Sequence, residues 1–238
     1  MLLCVLLYLA RVRGEDGAEA QQEQAKAAGI NKKDVMQILR LKSFWAFALI
    51  IVGTASIYDV FDQQFPNYYV TFFGTKEAGI DTFSKLCATQ TALEAVLMVF
   101  APALVNKIGA KRGLLLFGLL TFVRIAGSAV FTTPIALSAF RLIAAFEMPL
   151  MLVSVMKYIA SVFDVRLSAT VYLLGFNLAK QGAVVIFSSI AGGMYATMGF
   201  QSTYMFLAVS VLIITLISVF TLKNDKAKKE ELVPATER

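Results

Sequence analysis

Asp59 and Asp62 stand three residues apart in the run Tyr58, Asp59, Val60, Phe61, Asp62, Gln63, Gln64, Phe65, directly after the apolar stretch from Phe44 to Ile57. On a helix that spacing puts both carboxyls and Gln63 on one face, with Asn67 a turn further along. A charge near the centre of a bilayer costs roughly 2.5 to 3.5 kcal/mol on insertion scales, so carboxylates there need partners or water. Side chains placed this way line routes for ions and polar solutes. Glu94, Glu147, Arg124, Arg141 and Lys180 also fall inside long apolar segments. Seven such charges left unpaired would cost on the order of 20 kcal/mol, comparable to or larger than a whole domain's stability. They must compensate one another inside a helical bundle, around a cavity.

Arg141 and Glu147 are six residues apart on one predicted helix. That is about 120° round the axis, which disfavours direct pairing. Two readings of Glu147 follow. A carboxyl kept from a fixed partner in apolar surroundings can carry a proton reversibly; one held permanently by an arginine from another helix is structural. Histidine is absent, which removes histidine metal sites, a Ser-His-Asp triad and the usual proton shuttle. Cys4 and Cys87 lie in apolar surroundings without metal-type spacing and read as packing residues. No nucleophile elbow, phosphate loop or metal box is present, so the sequence points away from an enzyme and implies neither metal nor organic cofactor.

The elements that position these side chains are membrane spans. The chain is 58% hydrophobic and 16% charged, more apolar than a soluble domain of about 45 to 50% apolar composition. Leu2 to Ala10 spans only about 14 Å, too short to cross about 30 Å of hydrocarbon, and reads as the stub of a truncated helix over residues 1–10. Residues 11–42 form a polar linker, closed by Val35, Ile38, Leu39 and Leu41 among basic residues, the pattern of a short amphipathic helix at the interface. Six spans follow within 43–222: roughly Ser43 to Phe73, Ile80 to Asn106, Gly113 to Phe131, Pro134 to Phe163, Leu167 to Met194 and Gln201 to Leu222. Residues 223–238 form a tail. The expected fold class is thus an all-α membrane protein, a six-helix transmembrane bundle.

The net charge of +6 comes from basic residues in short loops, which points to membrane topology rather than nucleic acid. Lys and Arg crowd the linker, the turn at Lys107, Lys111 and Arg112, the turn at Arg166 and the tail, whereas the alternate loops hold only Lys76. The positive-inside bias places linker and tail in the cytoplasm. Plainer roles suit other residues. Trp45 and Tyr8, with Tyr68 and Tyr69 at the opposite end, read as interface aromatics. Lys85 and Lys157 read as snorkelling cations. Gly192 and Gly193, or Ser188 and Ser189, read as close helix contacts. Asp164 and Arg166 read as a loop charge pair.

Longer motifs carry a resemblance. YDVFDQQF at 58–65, FAPALVNKIGAKRGLLL at 100–116, FVRIAGSA at 122–129, FEMPLMLVSVMKYI at 146–159, FDVRLSATVYL at 163–173 and AKQGA at 179–183 resemble the C-terminal half of the lactose permease family. These are oligosaccharide:proton symporters of the major facilitator superfamily. The resemblance runs from Leu2 to about Leu222, with the motifs in the family's order.

It implies helices seven to twelve of a twelve-helix carrier of the bacterial cytoplasmic membrane. The proton would be the coupling ion, and membrane lipid and a small sugar the partners. It further implies Glu147 as the proton-binding carboxylate and Arg124 as the group that aids its deprotonation. The implied charge pairs are Asp59 with Lys180 and Asp62 with Arg141, the family having lysine at the last position. Ala144 stands where the lactose permease has a histidine. Thr91 stands where it has a sugar-contacting glutamate, with Glu94 one turn along. These departures point to a different di- or trisaccharide, such as sucrose, maltose, melibiose or raffinose. Substrate-binding candidates are Asp59, Lys180, Gln63, Thr91, Glu94 and Ala144. Because alternating access needs two bundles, the N-terminal half is an expected partner. The alternative is a non-transporting, degenerate fragment whose charges are only structural.

Overall fold

Helices begin and end where the backbone's unpaired groups find partners. The Thr75 side chain accepts from the Ala78 amide at 3.3 Å and the Thr133 side chain from the Ala136 amide at 3.4 Å, each starting a long helix. Pro134 follows Thr133 at the first helical position, where its missing N–H costs nothing. Asp164 Oδ1 likewise accepts from the Arg166 backbone amide at 3.0 Å, so it caps a helix rather than pairing with the Arg166 side chain.

The computed structural model describes residues 32–224. The expected stub at 1–10, most of the linker and most of the tail lie outside the described residues. Helix α1 (Lys32–Leu39) is short, and α2 (Lys42–Val70), α3 (Lys76–Ile108), α4 (Ala110–Val130) and α5 (Pro134–Val162) are each long and apolar enough to cross a membrane. The last helical stretch, Val165–Thr221, has 57 residues. As one rod it would extend roughly 85 Å, nearly three times the hydrocarbon thickness. It is broken at Gly199 (φ 76°, ψ 175°), a backbone region open essentially to glycine alone. It therefore makes two crossings, α6 (165–198) and α7 (200–221). The described residues contain six crossings and no strand, the all-α bundle expected from the six apolar stretches.

Helix α2 is the centre of the bundle and α3 its most uncovered member. Two apolar cores flank the middle. One, towards the linker end, joins Ile38, Phe47, Phe117, Val155 and Tyr158, with Phe47 and Tyr158 stacked at 5.7 Å. The other, towards the far end, joins Phe61, Phe65, Tyr69, Leu137 and Tyr204, with Phe61 and Tyr204 ring centroids 4.7 Å apart. Tyr68 and Tyr69 are buried in or beside this second core, and the Tyr69 hydroxyl meets Ser138 Oγ at 2.7 Å. Their phenols serve internal packing, not an interface belt. Trp45 stays exposed, its indole N–H donating to the Leu39 carbonyl at 2.8 Å.

Wider π turns interrupt two helices. One occupies Ile51–Ala55 in α2, the other Tyr172–Leu178 in α6. Each lies shortly before a charged site residue, the first ending four residues before Asp59 and the second two before Lys180. The helices touch there, since Ser56 Oγ donates to the Lys180 carbonyl at 3.1 Å.

Two lysines tie the linker end together. Lys111 Nζ donates to the Leu222 carbonyl at 2.7 Å, and Lys157 Nζ to Asn106 Oδ1 at 2.8 Å and the Val105 carbonyl at 3.1 Å. Lys157 thus caps the end of α3 instead of snorkelling. Lys85 pairs with Asp81 at 2.7 Å on the exposed start of α3, so it too has a fixed partner. A Cβ on Gly192 or Gly193 would meet nothing within 4 Å, so the expected close helix contact is absent there.

Candidate functional site

Between the two aromatic cores, α2, α4, α5 and α6 bring their charges together. Asp62 Oδ1 accepts from Arg141 Nη1 and from Arg124 Nη1, each at 2.6 Å, so one carboxylate joins α2 to both α4 and α5. Arg124 Nε lies 2.8 Å from Glu147 Oε2, and both side chains are fully buried. Asp59 Oδ2 lies 2.8 Å from Lys180 Nζ, joining α2 to α6. Spacing alone located all six side chains on helices, and only the tertiary structure makes Asp62 and Arg124 shared nodes.

The Glu147 reading based on an unpartnered carboxyl is corrected. Arg124, from the neighbouring helix, is its close cation. Arg124 Nε and Glu147 Oε2 form a fully buried ion pair. Pro149, two residues on, lies inside α5 and supplies no N–H to the preceding turn.

Aromatic faces take up the rest of the cationic charge. The Arg124 guanidinium lies over Tyr58 at 4.3 Å and Phe61 at 4.9 Å, and Arg141 lies over Phe65 at 5.7 Å. Such contacts contribute about 2 kcal/mol when desolvated, enough to help keep Arg124 off the solvent path. Lys180 sits over Phe176 at 5.6 Å, with Phe176 supplied by the π turn before it.

An open cavity of about 460 Å³ adjoins this network. Asp59, Asp62 and Gln63 line it from α2 and Glu94 from α3. Its apolar lining comes from Tyr58, Met148 and Val184. Glu147 and Arg124 stand behind that wall, reached through Asp62. Sequence reasoning missed Gln90 and Gln181, which also line the cavity. Their positions offered a signal: Gln90 is four residues before Glu94, and Gln181 follows Lys180. Gln63 is fixed by Ser188 Oγ, which donates to its Oε1 at 3.0 Å.

Three candidates do not line the cavity, and one of them, Lys180, is joined to it only through Asp59. Thr91 is exposed and does not line the cavity, because the helical step from Gln90 turns it about 100° away. Ala144 is fully buried in the linker-end core. Met148, one turn along α5, takes the position on the wall. Among the described residues no cluster of His, Cys, Asp and Glu could hold a metal ion.

Fold and site together define a multi-pass helical membrane protein whose buried ion network faces an open polar cavity. Comparison places it more narrowly. The family model described as LacY proton/sugar symporter matches residues 1–237, and the chain belongs to that family. It is 39% identical over 237 residues to a lactose permease of Klebsiella oxytoca, covering 99% of this chain and 56% of the relative. It is 42% identical over 226 residues to a raffinose permease of Escherichia coli, covering 94% and 53%. It is 44% identical over 195 residues to a melibiose permease of Enterobacter cloacae, covering 82% and 46%. The chain spans about half the length of these curated relatives. Family members are carriers rather than enzymes.

Proposed function

We propose that this chain is the C-terminal six-helix half of a carrier that moves a di- or oligosaccharide together with a proton. The observation that carries the reading is the position of Glu147: fully buried, beside Arg124, and linked through Asp62 to a cavity open to polar solutes. A carboxyl in that position can take and release a proton while remaining out of contact with bulk water. Arg124 is shared between Asp62 and Glu147, so a movement of Arg124 towards Asp62 would weaken its hold on Glu147 and favour the protonated form there. Its return would favour release of the proton. The sugar occupies the cavity against Asp59, which Lys180 holds, and Asp62, and its arrival shifts Asp62 and with it Arg124. Coupling then runs through a single guanidinium.

A second bundle completes the machine. Alternating access rocks one half against another about a central site, and the cavity here is open on one side. The partner in this reading is a six-helix N-terminal half, which closes the cavity and supplies the remaining sugar contacts. Linker and tail lie on the cytoplasmic face of a bacterial inner membrane. The proton is the coupling ion, and no organic cofactor takes part.

The test is uptake of labelled lactose, melibiose, raffinose and sucrose by cells making this chain joined to the N-terminal half of a related permease. Accumulation that collapses when the proton gradient is dissipated supports the reading. A correctly inserted protein that takes up none of them supports a fragment whose charges serve packing alone.

A further inference from the structure

One face of α2 closes around a single cation from α4. Phe61 and Asp62 follow Tyr58 by three and four residues, so a helix turns all three the same way. Asp62 takes a hydrogen bond from Arg124 Nη1 at 2.6 Å, and the Tyr58 and Phe61 ring centroids lie 4.3 Å and 4.9 Å from the guanidinium carbon. The contact with Glu147 comes from a different helix, α5. Phe61 is fully buried and does not line the cavity. Its own ring is wedged, with Tyr204 of α7 at 4.7 Å and Phe65 at 5.3 Å between centroids. A ring packed so closely cannot swing away, and its negative π face stays presented to the guanidinium.

We propose that Phe61 is a positioning residue for proton release: its ring holds the Arg124 guanidinium against Glu147, so that this carboxyl can ionise in an apolar interior. This rests on the transport reading and adds to it a side chain that bears no charge and lies off the cavity wall. The charges that face Glu147 are Arg124 from α4, Asp62 from α2 and Arg141 from its own helix, and the Tyr58 phenol of α2 faces it as well. Glu94 of α3 lines the cavity, Lys180 of α6 pairs with Asp59, and α7 brings Tyr204 against Phe61. Among the described residues Arg124 is the cation within salt-bridge distance of Glu147. A carboxylate in the membrane interior needs such a cation beside it. Without the π face of Phe61, Arg124 settles on Asp62, Glu147 keeps its proton, and release slows.

The experiment uses the complete carrier, this chain joined to the N-terminal half of a related permease, with the membrane level of each variant measured. The probe is whichever of lactose, melibiose, raffinose and sucrose is taken up best. Phenylalanines bearing one, two or three ring fluorines are placed at position 61, which drains the π face with little change in ring volume, and Phe61→Leu removes the ring. Uphill accumulation is expected to fall stepwise with fluorine count, to about one tenth for the trifluoro ring, while sugar exchange at equal concentrations keeps its KM. The pH at which sugar affinity is half lost is expected to rise by about one unit, because a less firmly paired carboxyl holds its proton to higher pH. A role in packing alone would leave both readouts indifferent to fluorine. If the parent transports and the fluorinated carriers match it in accumulation and pH profile, the assignment is overturned, even where Phe61→Leu is inactive, and transport stands. If the inserted parent takes up no sugar, the transport reading fails and this inference with it.

Discussion

At the scale of the residue, the central fact is that six ionic side chains in the membrane interior compensate one another. Asp59 and Lys180 make one pair, and Asp62, Arg124, Arg141 and Glu147 a four-membered network. Removing one member of a buried pair leaves the other charged and alone, which costs more than removing both. Asp59→Asn or Lys180→Gln should therefore each destabilise the bundle by up to about 3 kcal/mol. The double variant should recover most of that loss, read as thermal unfolding in detergent. Additive losses would mean that the 2.8 Å contact contributes nothing. Which side chains would meet in the middle was legible from the cost of charge in lipid and from helical spacing. That Asp62 serves two arginines was not, because no local pattern reveals which of two cations on different helices a carboxylate will reach. Thr91 and Gln90 show the finer limit, since a one-residue step separates the cavity wall from an exposed surface.

At the scale of the element, the two π turns aim the charges. An extra residue in a turn rotates everything beyond it by about 100° relative to a regular helix. Tyr172–Leu178 therefore sets where Lys180 points, and Ile51–Ala55 does so for Asp59 and Asp62. Deleting Gly175 should turn Lys180 off Asp59. The deletion variant is expected to lose the benefit of the pair, so that a further Asp59→Asn change then has little effect on unfolding temperature. Gly199 has a different task, reversing the chain between α6 and α7 at φ 76°. Gly199→Ala should cost about 1 to 3 kcal/mol from backbone strain, although a Cβ there meets no neighbour within 4 Å. An unchanged unfolding temperature would show that the turn relaxes without cost. Spans are readable in advance, since twenty-residue apolar runs have a local cause, whereas Asp164, expected to pair with Arg166, caps a helix instead. The π turns carry no comparable signal in the sequence, arising where packing of α2 against α6 and α7 overrides regular hydrogen bonding.

At the scale of the whole molecule, the arrangement of six crossings followed from hydropathy alone, and the resemblance in motif order agrees with the family to which the chain belongs. The orientation rests on loop charge and is open to a direct check. A cysteine introduced at Lys107 should react with an impermeant thiol reagent only from the cytoplasmic side, and one at Thr132 only from the outside. The reverse labelling would invert the topology. The central claim is that Glu147, buried beside Arg124, is the proton's binding place, and the most direct measurement compares exchange with accumulation in the complete carrier carrying Glu147→Gln. The account predicts that labelled sugar still equilibrates and exchanges across the membrane while uphill accumulation disappears. Accumulation equal to that of the parent would contradict it.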